Sequence, residues 1–127
     1  AGHESILTFD QNKNYEYIKS EMPPIGIVKY FSESMVKSNT INMKDKTFVV
    51  YTDGVTEGYL QNGEELGSEG VQNIINNISE VTPKAIVESI EKKLNWGAEK
   101  LRDDITCMAI NIKNTELIKK QVKKSGN

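Results

Sequence analysis

The chain has 127 residues, 27% of them charged and 37% hydrophobic, with 16 basic and 18 acidic side chains and a net charge of −2. That length suits one domain with a real core, and the charge balance argues against a dedicated nucleic-acid binder, which carries a strong basic excess. One cysteine, Cys107, and one histidine, His3, exclude an internal disulfide and a zinc site built from several such ligands, and they leave little for a Ser-His-Asp or Cys-His engine. No apolar run approaches the roughly 20 residues that span a bilayer, so no membrane contact is expected of this chain, and a reducing, cytoplasmic compartment fits.

The chain opens "AGHESILTF", with no Met and no signal-peptide core, and reads as an excised or processed piece. Residues 4–9 have the composition of a strand, "DQNKN" at 10–14 is a polar turn cluster, and "YEYI" at 15–18 alternates like a return strand, so a hairpin is expected. "MPPIGI" at 22–27 reads as loop or extended chain, because its prolines donate nothing to a ladder and Gly26 permits unusual dihedrals. Residues 28–41 show mixed alternation and are expected to hold one strand. "TFVVYT" at 47–52 is the strongest strand signal; both of its faces are apolar, so it should lie inside a sheet covered on each side.

After the loop "DGVTEGYLQNGEELG" the period changes. Val71, Ile74, Ile75 and Ile78 mark an amphipathic helix, with Ser68 as its expected cap. Thr82 and Pro83 are the N-cap and first position of a second helix, whose stripe is Ile86, Val87, Ile90 and Leu94 and which Trp96 and Gly97 end or follow. "LRDDITCMAINI" at 101–112 is the second strong strand, apolar on both faces from Ile105 to Ala109, and Cys107 within it reads as a buried small hydrophobe. The tail at 114–127 is lysine-rich and reads as a solvated surface, a partner-binding role being the alternative. Strands, two adjacent helices and a final returning strand make an α+β domain with an antiparallel sheet.

Two places carry chemistry. Asp53 ends one apolar strand and precedes Gly54; Asp103 and Asp104 immediately precede the other. If the two strands are antiparallel neighbours, their acids meet at one sheet edge. Carboxylates without His or Cys suit a hard cation, magnesium or manganese. Asp-Gly is also a common turn dipeptide, and a turn accounts for Asp53 without any ion.

The wording of five segments adds to this: "AGH" at 1–3, "PPIGI" at 23–27, "YTDGVTEG" at 51–58, "GEELG" at 63–67 and "LRDDIT" at 101–106. In this order and spacing they resemble the C-terminal part of the SpoIIE-like branch of PPM-type metal-dependent serine/threonine phosphatases, over residues 1–113. The resemblance implies an αββα fold, two packed antiparallel sheets flanked by helices, here incomplete on its N-terminal side. It implies two Mn2+ or Mg2+ ions in the complete domain that activate a water against a phosphoserine or phosphothreonine. Asp53 and Asp103 would be metal ligands. Asp104 would support them, Gly54 would allow the close turn behind Asp53, and Gly26 matches a supporting Leu-Gly-type segment that here carries Pro and Ile. No catalytic side chain beyond the ligands is implied. The family's first metal-binding aspartate has no counterpart in these residues, so this chain alone is expected to be inactive or nearly so, to hold half of the metal shell and to self-associate through exposed sheet surface. The implied partner is a phosphorylated regulatory protein of bacterial signalling, such as an anti-sigma factor antagonist. The alternative is a non-catalytic, partner-binding module on the same fold.

Overall fold

Period-two alternation sets the sheet and period-3.6 stripes cover one side of it. The computed structural model describes residues 3–21, 24, 26–94 and 104–112. Among them, β1 (Ile6–Asp10), β2 (Tyr15–Ile18), β3 (Lys46–Tyr51) and β4 (Cys107–Asn111) form one sheet in the order β2-β1-β3-β4. Every neighbouring pair is antiparallel. β3 is central, and the register Tyr51↔Cys107 aligns its last residue with the first of β4. The expected hairpin, the central strand and the returning last strand are all present.

Leu7 and Phe9 of β1 alternate onto the same face as Val49 and Tyr51 of β3, and all four are buried in one cluster with the helices. α2 (Gly67–Asn77) contributes Val71, Ile74 and Ile75, and α3 (Pro83–Lys93) contributes Ile86 and Ile90. α3 lies on β4 and α2 lies against α3. Truncating a fully buried member such as Ile75 or Ile86 to Ala removes area and leaves a cavity, at about 2–5 kcal/mol.

Local chemistry fixes the helix ends. Thr82 caps α3: its Oγ1 accepts from the Ala85 amide at 3.2 Å, and Pro83 follows with its missing N–H where none is needed. Such a cap contributes about 1 kcal/mol. Lys92 and Lys93 sit in the last turn, where the helix dipole favours cations. α2 is capped from a distance. Lys13, held at φ +64° in the β1–β2 turn, donates through Nζ to the Asn76 and Ile78 carbonyls at 2.8 and 2.5 Å. Tyr17 adds a second tie from β2, donating to the Ser68 carbonyl at 3.5 Å and accepting from Gln72 Nε2.

The structure corrects several expectations. Ser68 does not cap α2: the helix begins at Gly67 after Leu66, and no side chain caps it. No strand forms between residues 28 and 41. That segment holds a single 3-10 turn at Glu33–Met35, and Tyr30, Phe31 and Val36 are exposed, because no strand edge receives them. β4 begins at Cys107; residues 104–106 precede the strand, and 101–103 lie outside the described residues. So do Trp96, Gly97 and the lysine-rich tail.

β4 is also not apolar-buried on both faces. Ile105 and Ala109 pack beside the core, but Met108 is 51% exposed and Ile110 39% exposed on the side away from the helices. Phe48 and Thr8 on that side are buried, whereas Val50 is half-buried. One four-stranded sheet with helices on one face is therefore what the described residues contain of the two-sheet sandwich. Cys107 is half-buried against the core, and burial pushes its thiol pKa up, which keeps it a thiol rather than a reactive thiolate.

Candidate metal centre at the acidic sheet edge

β3 delivers Asp53 to an edge of the sheet because the strand stops at Tyr51 and the chain turns at once. Thr52 stays extended, and α1 (Asp53–Thr56) is a single helical turn rather than the expected open loop. The turn is closed by main-chain bonds: the Val55 amide donates to the Thr52 carbonyl at 2.9 Å and the Glu57 amide to the Asp53 carbonyl at 2.8 Å. The Thr56 hydroxyl donates to the same Asp53 carbonyl at 3.1 Å. Val55 points inward and is fully buried, which pins the turn to the core. Thr56 and Glu57 thereby acquire a physical role that their sequence positions did not disclose: they hold the Asp53 main chain.

The side chain of Asp53 is left over. It is exposed, and its bond is local, Oδ1 accepting from the Gly54 amide at 3.0 Å. Its carboxylate thus faces outward from a fixed backbone.

The run-in to β4 arrives at this edge as strand direction requires. Its carbonyl at Asp104 lies against Gly54 so closely that a Cβ on Gly54 would overlap the oxygen and stand 3.0 Å from the carbonyl carbon. Gly54 is needed for that close approach, rather than for the turn behind Asp53 as expected. On the other side of Asp53, the Thr52 amide donates to the Thr106 carbonyl at 3.0 Å, and the Thr106 amide donates to Thr52 Oγ1 at 3.1 Å. The same hydroxyl stands 3.4 Å from the Asp104 and Thr106 carbonyl oxygens. Both neighbours of Asp53 therefore grip the segment that carries Asp104, itself exposed.

The structure brings Asp53, Gly54 and Asp104 together. Asp103 lies outside the described residues. Gly26 does not join them: it sits in an exposed turn at φ +97°, with open space around its Cβ position and the Ile27 amide closing onto the Pro24 carbonyl at 3.3 Å. His3 is exposed and its ring bonds the adjacent Glu4 carbonyl at 2.9 Å. Thr52 was missed by sequence reading; a hydroxyl residue directly before an Asp-Gly turn was the available signal.

Among the described residues no three His, Cys, Asp or Glu side chains converge as a complete metal cage. The donors present still fit a hard divalent ion in kind. Magnesium-type sites use one or two carboxylates and keep several waters. Asp53 offers a carboxylate that its own turn does not consume, beside a second acid on a rigidly joined segment.

Comparison with known proteins bears on the family and the fold. The family model described as Stage II sporulation protein E (SpoIIE) matches residues 1–113. Among solved structures, the SiaA-PP2C domain of Pseudomonas aeruginosa is similar, with a TM-score of 0.57 at 19% identity, over 86% of this chain and 43% of that one. At that identity the likeness shows the fold alone, and the chain spans less than half the length of the structure it matches. No curated protein matches the chain.

Proposed function

The chain belongs to the Stage II sporulation protein E family of PPM-type phosphatases, and from that premise we propose that its parent domain removes phosphate from phosphoserine or phosphothreonine on a regulatory protein. The observation that carries the reading is the strapped acidic edge: Asp53 exposed on a rigid turn, with the Asp104 main chain locked against Gly54. Asp53 and Asp103 would hold two manganese or magnesium ions, with Asp104 supporting them. When bound, the ions supply a nucleophilic water at neutral pH and offset charge on the phosphoryl group. The protein's own task is placement. β3 supplies a buried, stiff stem, α1 fixes the Asp53 main chain, and the Gly54 contact sets how near the second acidic segment can lie.

In the full-length protein, manganese-dependent release of phosphate from a phosphorylated anti-sigma factor antagonist should be lost in Asp53→Asn and in Asp103→Asn. Unchanged turnover in either variant would overturn the ligand assignment. The same protein binding the phosphoprotein tightly without releasing phosphate would favour the non-catalytic module instead.

The isolated 127-residue chain, on this reading, turns over little or no substrate. It also self-associates through the sheet side that exposes Met108 and Ile110, with Ile112 beyond β4. A monomeric mass at high concentration in sedimentation would contradict the association.

A further inference from the structure

Where β3 and β4 run out, an ordinary antiparallel pair would exchange two main-chain bonds between Thr52 and Thr106. One of the two is made: the Thr52 amide donates to the Thr106 carbonyl at 3.0 Å. The other is not: the Thr52 carbonyl accepts from the Val55 amide at 2.9 Å in the turn that presents Asp53. The Thr106 amide turns instead to the Thr52 side chain, donating to Oγ1 at 3.1 Å. A hydroxyl thus stands in for a carbonyl. The strand pair runs one residue beyond Tyr51↔Cys107, and the chain is still free to turn at Asp53.

We propose that Thr52 is a positioning residue: its hydroxyl sets the placement of the main chain at Asp104–Thr106 relative to Asp53 and so the metal affinity of this edge. The proposal rests on the reading of Asp53 as a ligand. It goes beyond that reading by assigning a role to a side chain that touches neither ion nor substrate. Gly54 admits the Asp104 carbonyl from one side of Asp53, but admits it passively; Thr52 supplies the directed bond from the other side. Val at this position keeps the shape and the preference for extended backbone but offers no acceptor, so the Thr106 amide loses its partner. Ser keeps the acceptor.

The test uses the full-length protein with manganese alone as the probe, and two readouts: manganese affinity by calorimetry at a temperature where circular dichroism shows every variant folded, and amide hydrogen exchange at Thr106. Thr52→Val and Thr52→Ala should weaken manganese binding about 10–100-fold, the range for residues that orient a ligand, and speed exchange at Thr106. Thr52→Ser should restore both to within about threefold of wild type. A lowered melting temperature with unchanged manganese affinity would make Thr52 merely structural and overturn the proposal. So would Ser failing to rescue. If Asp53→Asn binds manganese like wild type, the ligand reading fails and the proposal with it. If Asp53→Asn loses the metal while both hydroxyl-less variants keep it, the proposal alone fails.

Discussion

Asp10 and Asp53 both close strands of the same sheet, at opposite edges: Asp10 pairs with Lys46 at the start of β3, and Asp53 follows its end. Each is exposed or nearly so, and each stands before a turn. Their carboxylates are used in opposite ways. Asp10 spends both oxygens on its own turn, Oδ1 accepting from the Asn12 and Asn14 amides at 2.8 and 2.9 Å and Oδ2 from Asn14 Nδ2 at 2.8 Å. At Asp53 the turn is held by main-chain bonds and by Thr56, and among the described residues the carboxylate takes only the next residue's amide. Asp10 is there because a turn needs a side-chain acceptor. The turn at Asp53 would close without one. An acid kept where its turn does not need it is the better ligand candidate.

The largest effect expected from breaking this contrast is at Gly54. Gly54→Ala drives a methyl into the Asp104 main chain, with no flexible side chain to give way. It should lower unfolding free energy by about 1–3 kcal/mol in urea titrations, the usual cost of overpacking. A neutral Gly54→Ala would mean that the two acidic segments are not joined there. Asp10→Ala should come next: a lower unfolding midpoint from loss of three turn bonds, with phosphate release by the full-length protein unchanged.

The smallest effects are in pH, and the two edges differ in sign. The Asn14 side chain bonded to Asp10 holds its carboxyl below the usual value. The folded pKa being lower than the unfolded one, that stability is present above the unfolded value and lost as pH falls through the folded one; Asp10→Ala should remove this acid-side dependence. At the other edge Tyr51, two residues before Asp53, has its phenol pushed up to about 12 by burial. Between about pH 10 and 12 the unfolded chain releases a proton that the folded one keeps, so stability falls as pH rises. Tyr51→Phe should flatten that alkaline limb; an unchanged limb would assign it elsewhere.

What could be seen from sequence was whatever repeats locally. The apolar runs of β1 and β3, the alternation of β2, the stripes of α2 and α3 and the Thr82-Pro83 cap are all short-range patterns, and strands, helices and cap form where they predict. The meeting of Asp53 with the segment before β4 was also readable, because antiparallel direction alone forces it. The contacts that make the edge rigid were not. Gly54 against the Asp104 carbonyl, and Thr52 bonded to Thr106, join residues about fifty apart, and no local period encodes such a distance. Residues 28–41 misled for a related reason: alternation promises a strand only if an edge is present to receive it. Ser68 misled because α2 began one residue earlier, at a glycine with φ +65°.

On the proposed function Asp53, unlike Asp10, is a carboxylate held for a metal ion. Manganese titration of the full-length protein, comparing Asp53→Asn with Asp10→Asn under identical conditions, tests it most directly. The account predicts wild-type affinity for Asp10→Asn and a loss for Asp53→Asn that exceeds the ~10–100-fold typical of residues acting behind a ligand. Equal affinities in the two variants would contradict it and return Asp53 to the status of an ordinary turn residue.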